Sequence, residues 1–130
     1  MSATADSGVL AGKARPRGAF PHFRRAGDFI FVSGQGPIDP ATNEYSLGDI
    51  RHEVRLTLEN IRRILEQAGA TPANVVKCSV FLKNAQDFPA MNEVYADFFG
   101  ETRPARTTVE AQFYKTEMKV EIDCVAYKPR

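Results

Sequence analysis

Residues 118–127 read Met-Lys-Val-Glu-Ile-Asp-Cys-Val-Ala-Tyr. Val120, Ile122, Cys124 and Ala126 alternate with Glu121, Asp123 and Val125. A period of two sets these groups on opposite faces of a β-strand. One face is apolar and needs a covering layer. The other carries two carboxylates. Such a strand belongs to a sheet with helices on one side, and that decides the fold class as α+β.

Working back from this strand, residues 107–114 (TTVEAQFY) read as another strand, and residues 75–82 (VVKCSVFL) as a third. Between them Met91, Val94, Tyr95, Phe98 and Phe99 form the apolar stripe of a helix. Asp87 is placed to cap it, Pro89 is tolerated in its first turn, and Gly100 stops it. Further upstream Ile50, Val54, Leu58, Ile61, Leu65 and Ala68 recur at helical spacing. Asp49 can cap this first helix and Gly69 can end it. Residues 34–48, rich in Gly and Pro, read as a loop with turns. Residues 28–34 (DFIFVSG) read as a short strand ending in a glycine, which a hairpin can extend. The order is β, α, β, α, β, β: one sheet with two helices on one face.

The N-terminal segment is different. Residues 1–12 are small and polar and read as a disordered tail, leaving 13–130 as a single domain. A basic stretch follows with Lys13, Arg15, Arg17, His22, Arg24 and Arg25. Pro16, Gly18 and Pro21 make it extended or looped.

Bulk composition narrows the function. The chain has 130 residues and a formal net charge of +1. That balance argues against nucleic acid or an anionic membrane as a partner. No secretory leader and no apolar run of membrane-spanning length is visible, so the default expectation is a cytoplasmic protein. Cys78 and Cys124 fall in apolar-rich segments and read as buried free thiols rather than a disulfide or a nucleophile. Two histidines and two cysteines, far apart, show no zinc spacing, and no metal site is expected. Ser33-Gly34-Gln35-Gly36-Pro37 is too short for a phosphate loop and lacks the helix that must follow one. No Gly-x-Ser-x-Gly elbow is present. What remains is polar residues at strand ends, Arg106 and Glu121 among them. By spacing alone each reads as a surface charge.

Four segments change that reading: FIFVSGQGPIDP at 29–40, NEVYADFFG at 92–100, PARTTV at 104–109 and VEID at 120–123. Together, in this order and spacing, they resemble the RidA (YjgF/YER057c/UK114) family over nearly the whole chain after residue 18. The resemblance implies a chorismate-mutase-like (bacillus) fold and a homotrimer with ligand sites between subunits. It implies hydrolysis of enamines or imines at a C–N bond, with release of ammonia and no cofactor. It places Arg106 on the substrate's carboxylate, Glu121 near the attacking water, and Thr108 as a contributor of backbone groups. Asn92 and Tyr95 match the second-helix motif, where packing or capping explains them equally well.

The chemistry fits these roles. A guanidinium meets a carboxylate through two parallel hydrogen bonds, as lysine cannot. A carboxylate or a backbone carbonyl can orient the water and accept its proton.

One segment departs from the general pattern. Many members carry Gly-Pro-Tyr-Ser where this chain reads Gly18-Ala19-Phe20-Pro21-His22. Phe20 lacks the phenol, and His22 brings an imidazole. Residues 12–18, this segment, residues 25–29 and the ending at 125–129 resemble the 2-aminomuconate deaminase branch. That substrate is an enamine with two carboxylates, and His22, Arg25, Arg24, Arg17 and Arg15 are the candidates to hold the second. Two other readings stand beside it. One is a general deaminase of 2-iminobutanoate and 2-iminopropanoate. The other is a non-catalytic protein that binds a small carboxylate metabolite in the same cleft. A ribonuclease role, also ascribed to the family, is disfavoured by the near-neutral charge and the lack of an aromatic-basic stripe.

Overall fold

A computed structural model describes residues 6–9 and 16–130. Six strands form one mixed sheet: β1 (Ser7–Gly8), β2 (Phe23–Ala26), β3 (Phe29–Gln35), then β6 (Val75–Leu82), β7 (Ala105–Glu110) and β8 (Val120–Tyr127). Their order across the sheet is β1-β2-β3-β8-β6-β7. Among the described residues only β6 and β7 run parallel. Helix α2 (Phe88–Phe99) is the crossover that a parallel pair requires. A separate small hairpin, β4 (Ile38–Asp39) with β5 (Glu44–Tyr45), lies within the expected loop. Helices α1 (Ile50–Gln67) and α2 both supply residues to the single core, as expected of two helices on one face.

Helix α1 forms where the apolar spacing places it. Val54, Leu58, Ile61 and Leu65 are fully buried. The Asp49 carboxylate accepts a hydrogen bond from the His52 amide at 2.8 Å and caps the start. Its inner face also holds a carboxylate with no exposed surface, Glu53. Glu53 accepts from the amides of Gly48 (3.1 Å) and Lys119 (2.8 Å) and from Lys119 Nζ (3.4 Å). It therefore ties the helix to the loop before it and to the entry of β8. Glu53→Ala leaves two backbone donors without an acceptor, and the expected loss is about 2–4 kcal/mol in urea unfolding. A loss under about 1 kcal/mol would show that water replaces the carboxylate.

Helix α2 buries Met91, Val94, Tyr95 and Phe99 against α1 and the sheet. Asp87 precedes it but makes no side-chain capping bond. A short 3-10 turn over Ala85–Asp87 already holds Asp87 in helical geometry, so its carboxylate cannot fold back.

Three boundaries also differ from expectation. The basic stretch contains β2, which joins β3 through Gly27 and Asp28. Ala26 pairs with Phe29, so the turn has two residues, and Gly27 takes the positive φ of 59° that it needs. Strand β7 ends at Glu110 rather than at Tyr114, because its partner β6 ends at Leu82, opposite Glu110. Strand β8 begins at Val120 rather than Met118, because the amide of Lys119 goes to Glu53. Of the expected tail, Ser7 and Gly8 pair with β2; residues 1–5 and 10–15 lie outside the described residues.

The two faces of the sheet differ as β8 predicts. Ile30, Val32, Val80, Ile122, Cys124 and Ala126 pack under the helices. Cys78 and Cys124 sit opposite each other there as buried free thiols. Burial pushes the Cys78 thiol up to about 11 and Cys124 well above its usual value. On the other face Phe29, Phe31 and Tyr127 stay two-fifths or more exposed.

Candidate active site

Arg106 lies on β7 opposite Cys78, so its side chain shares the helix-facing side of the sheet. Strand β7 is an edge strand, which lets the guanidinium turn outward past α2. Its Nη1 donates to Asn92 Oδ1 at 2.9 Å. Its Cζ lies 4.7 Å from the centre of the Tyr95 ring and 5.3 Å from that of Phe88. Three residues of one helix thus set the plane of the arginine, two by cation–π contact. Burial drives the Tyr95 phenol well above its ordinary value, so it stays neutral and contributes its ring, not a proton. Arg106, Arg103, Asn92, Tyr95 and Pro104 line a hollow of about 290 Å³ with no carboxylate in its wall. Thr108, two residues on, shares the inward side, and its Oγ1 is buried without a hydrogen-bond partner.

Glu121 occupies the opposite face. It stands opposite Phe81 on β6, three registers from the Cys124–Cys78–Arg106 row. Beside it, β3 has a bulge between Val32 and Gln35. Gly34 sits in that bulge, and a Cβ there would lie 2.4 Å from Glu121 Oε2. The missing side chain is what lets the carboxylate lie against the backbone of β3. Burial, and then the charge of Asp123, raise the carboxyl of Glu121 above the usual glutamate value. Glu121 faces a hollow of about 240 Å³ lined also by Arg17, Phe20, His22, Tyr45 and Tyr114. His22 is buried, and desolvation lowers its imidazole, which favours the neutral ring. Its backbone is fixed on both sides: the amide donates to Gly8 O (2.8 Å) and the carbonyl accepts from Ser33 (3.0 Å).

The expected site residues are therefore gathered into two groups on opposite faces of one sheet. Arg106, Asn92, Tyr95 and Thr108 form the first; Glu121, Phe20 and His22 form the second. The structure does not bring Arg106 and Glu121 of one chain to a common substrate.

The model for the family described as Endoribonuclease L-PSP matches residues 12–128. The chain belongs to that family. A RutC family protein of Pyrococcus horikoshii is 46% identical over 114 residues, covering 88% of this chain and 90% of the relative. Among solved structures, RidA of an Antarctic Psychrobacter is 32% identical with a TM-score of 0.85, covering 92% of this chain and 97% of that one. TdcF of Escherichia coli with bound serine is 32% identical with a TM-score of 0.84, covering 93% and 98%. The mixed sheet with two helices is thus the L-PSP, chorismate-mutase-like fold.

Within this L-PSP fold some expectations fail. Arg25 reaches neither group. Its Nη1 donates to Lys128 O (2.9 Å) and Gly27 O (3.3 Å), and its Nη2 to Ala68 O (3.4 Å) at the end of α1. It fills an inward strand position, so its charge must be met by backbone carbonyls, and it serves the fold rather than a ligand. Arg24 lies with Asp6, Asp28 and Arg130 around a separate hollow at the hairpin end. Arg15 is outside the described residues. Of the five candidates for a second cation, Arg17 and His22 face Glu121. Sequence reasoning missed Arg103, Tyr45, Tyr114 and the seat at Gly34. The sequence does contain a signal for the last: a glycine placed inside a β-rich run. Among the described residues no cluster of His, Cys, Asp and Glu is placed to hold a metal ion, and no helix is long and apolar enough to cross a membrane.

Proposed function

We propose that the chain is a hydrolytic deaminase of carboxylate-bearing imines and enamines, with its site completed between copies in a homotrimer. One observation carries the reading. Arg106 is held in a fixed plane by Asn92 and two rings, at a hollow that contains no acid of its own. That is a receptor for an external carboxylate.

The reaction then follows from two half-sites. Arg106 takes the carboxylate and so fixes the adjacent C=N carbon. Glu121 of the facing copy accepts a proton from water as the water oxygen bonds to the iminium carbon. The nitrogen of the resulting carbinolamine takes up a proton. The C–N bond breaks with its electrons going to nitrogen, and a C=O bond forms as the hydroxyl loses its proton. Iminium and water become a ketone and ammonium. Positioning supplies most of the acceleration.

Two features support assembly from copies. Arg106 and Glu121 lie on opposite faces, so one chain cannot hold both ends of a small substrate. The outer sheet face exposes Phe29, Phe31 and Tyr127, which water alone does not favour. The same face carries Glu121 and Asp123, whose charges oppose a phosphate backbone, so we read it as a contact between copies rather than an RNA platform. Phe31→Glu is expected to turn a trimer into monomers in sedimentation velocity and to abolish turnover. An active monomer would overturn shared sites.

The primary test generates 2-iminobutanoate in situ and follows ammonia release. Rates no faster than buffer would sink the enzyme reading. A ligand-binding role without turnover would then remain, as the serine bound to the TdcF relative illustrates. 2-Aminomuconate is the second substrate to try, because Phe20 and His22 of the segment resembling that branch line the Glu121 hollow.

A further inference from the structure

Tyr45, in the wall of the Glu121 hollow, carries two cations on one ring. Arg17 Cζ lies 4.5 Å from the centre of the Tyr45 ring, and Lys115 Nζ lies 5.3 Å from the same centre. The two come from segments nearly a hundred residues apart, and both meet at the end of the small β4–β5 hairpin. Arg17, Tyr45 and Glu121 line the same hollow. Bringing two like charges to one ring is unfavourable unless something offsets it. Internal acids do so only in part. Among the described residues Lys115 has one carboxylate partner, Glu117, at 3.6 Å, and Glu117 is well exposed. Arg17 donates through Nη2 to the carbonyl of Asn43. That bond uses one of five N–H donors and brings no negative charge. Neither cation contributes to the shift of Glu121, which burial and Asp123 set.

We infer that Arg17 and Lys115, seated on Tyr45, form a second anion subsite that selects substrates with a carboxylate distal to the reacting C=N. This deepens the deaminase reading and rests on it for the word substrate, but the subsite can be tested without turnover. Arg106 holds the carboxylate next to the reacting carbon. Arg17 and Lys115 hold the far one. A monocarboxylate leaves that subsite empty, and a dicarboxylate fills both. Both cations are solvent-facing, so each contributes modestly and is screened by salt.

The test is calorimetric binding of glutarate and of butyrate to the assembled protein. Glutarate is expected to bind more tightly, by about fivefold per cation at low salt. Lys115→Met and Arg17→Met are each expected to remove about fivefold from glutarate and nothing from butyrate. The preference is expected to vanish near 1 M salt. Lys115→Met guards against a folding effect, since Lys115 does not share the bond from Arg17 to Asn43. Equal affinity for the two acids, no measurable binding of glutarate, or a preference that survives both substitutions would each overturn the subsite. Loss of the preference in the variants with no ammonia release from any imine would keep the subsite and reject the deaminase reading.

Discussion

Arg106→Ala is expected to lower kcat/KM for ammonia release by about two to three powers of ten. The figure follows from the cost of removing one partner of a desolvated, charge-assisted pair, about 3–4 kcal/mol. Much of the loss should appear in kcat, because the carboxylate anchor also fixes where the C=N carbon meets the water. Arg106→Lys is expected to recover little. An ammonium cannot offer two parallel donors, and it loses the guanidinium's contacts with the Tyr95 and Phe88 rings. Stability should change far less than activity. The guanidinium is only partly buried, and among the described residues its one side-chain bond is to Asn92 Oδ1, at the edge of the sheet. Asn92→Ala offers a graded version: the arginine stays, its plane is freed, and activity should fall by about tenfold or less, the worth of one hydrogen bond. If Arg106→Ala turns over imines at the wild-type rate, the carboxylate is bound elsewhere and the proposed orientation of the substrate is wrong.

How this arrangement shows in the sequence depends on the element. Helix α1 is legible because Val54, Leu58, Ile61 and Leu65 all face one way and Asp49 stands where a cap belongs. Strand β8 is legible because its apolar and polar residues alternate without exception from Val120 to Asp123. Strand β2 is not. It runs Phe23, Arg24, Arg25, Ala26, and its inward positions are Phe23 and Arg25. A buried arginine breaks the alternation that marks a strand. Its guanidinium donates to carbonyls at residues 68 and 128, which no local window contains. The division of the site is hidden for a related reason. Strand β7 reads Ala, Arg, Thr, Thr, Val, Glu, with neither parity clearly apolar, so its sequence does not say which face Arg106 takes. Register against Cys78 settles that, and register is a property of the sheet. Motif matching finds Arg106 and Glu121 but does not say which face of the sheet each takes. Only strand pairing shows that they point apart.

Glu121→Gln is expected to lower kcat by about a hundredfold or more, since general base catalysis contributes on the order of 10²–10⁴. The pH profile is the sharper reading. The base form of Glu121 is the carboxylate, so the rate should fall as pH drops through its pKa. Burial and Asp123 raise that pKa, so the midpoint should lie above the ordinary glutamate value. Asp123→Asn removes the charge but not the burial, and the acid limb should move to lower pH without disappearing. Stability should respond in the opposite sense to activity. A carboxyl whose folded pKa is raised favours the folded state most when protonated, below its unfolded value. That contribution is lost as pH rises through the folded pKa. At neutral pH the charged group is therefore held at a cost, and the neutral Gln should keep or raise Tm while it removes the rate. A structural carboxylate would behave otherwise, as Glu53 shows: it is fully enclosed, and two backbone amides and Lys119 depend on it. Glu53 should lose stability when truncated, and Glu121 should lose catalysis. If Glu121→Gln destabilises the fold and leaves the acid limb in place, the base lies elsewhere in the hollow. His22 would then be the next side chain to replace, since it shares that wall and its lowered pKa leaves it neutral and able to accept a proton.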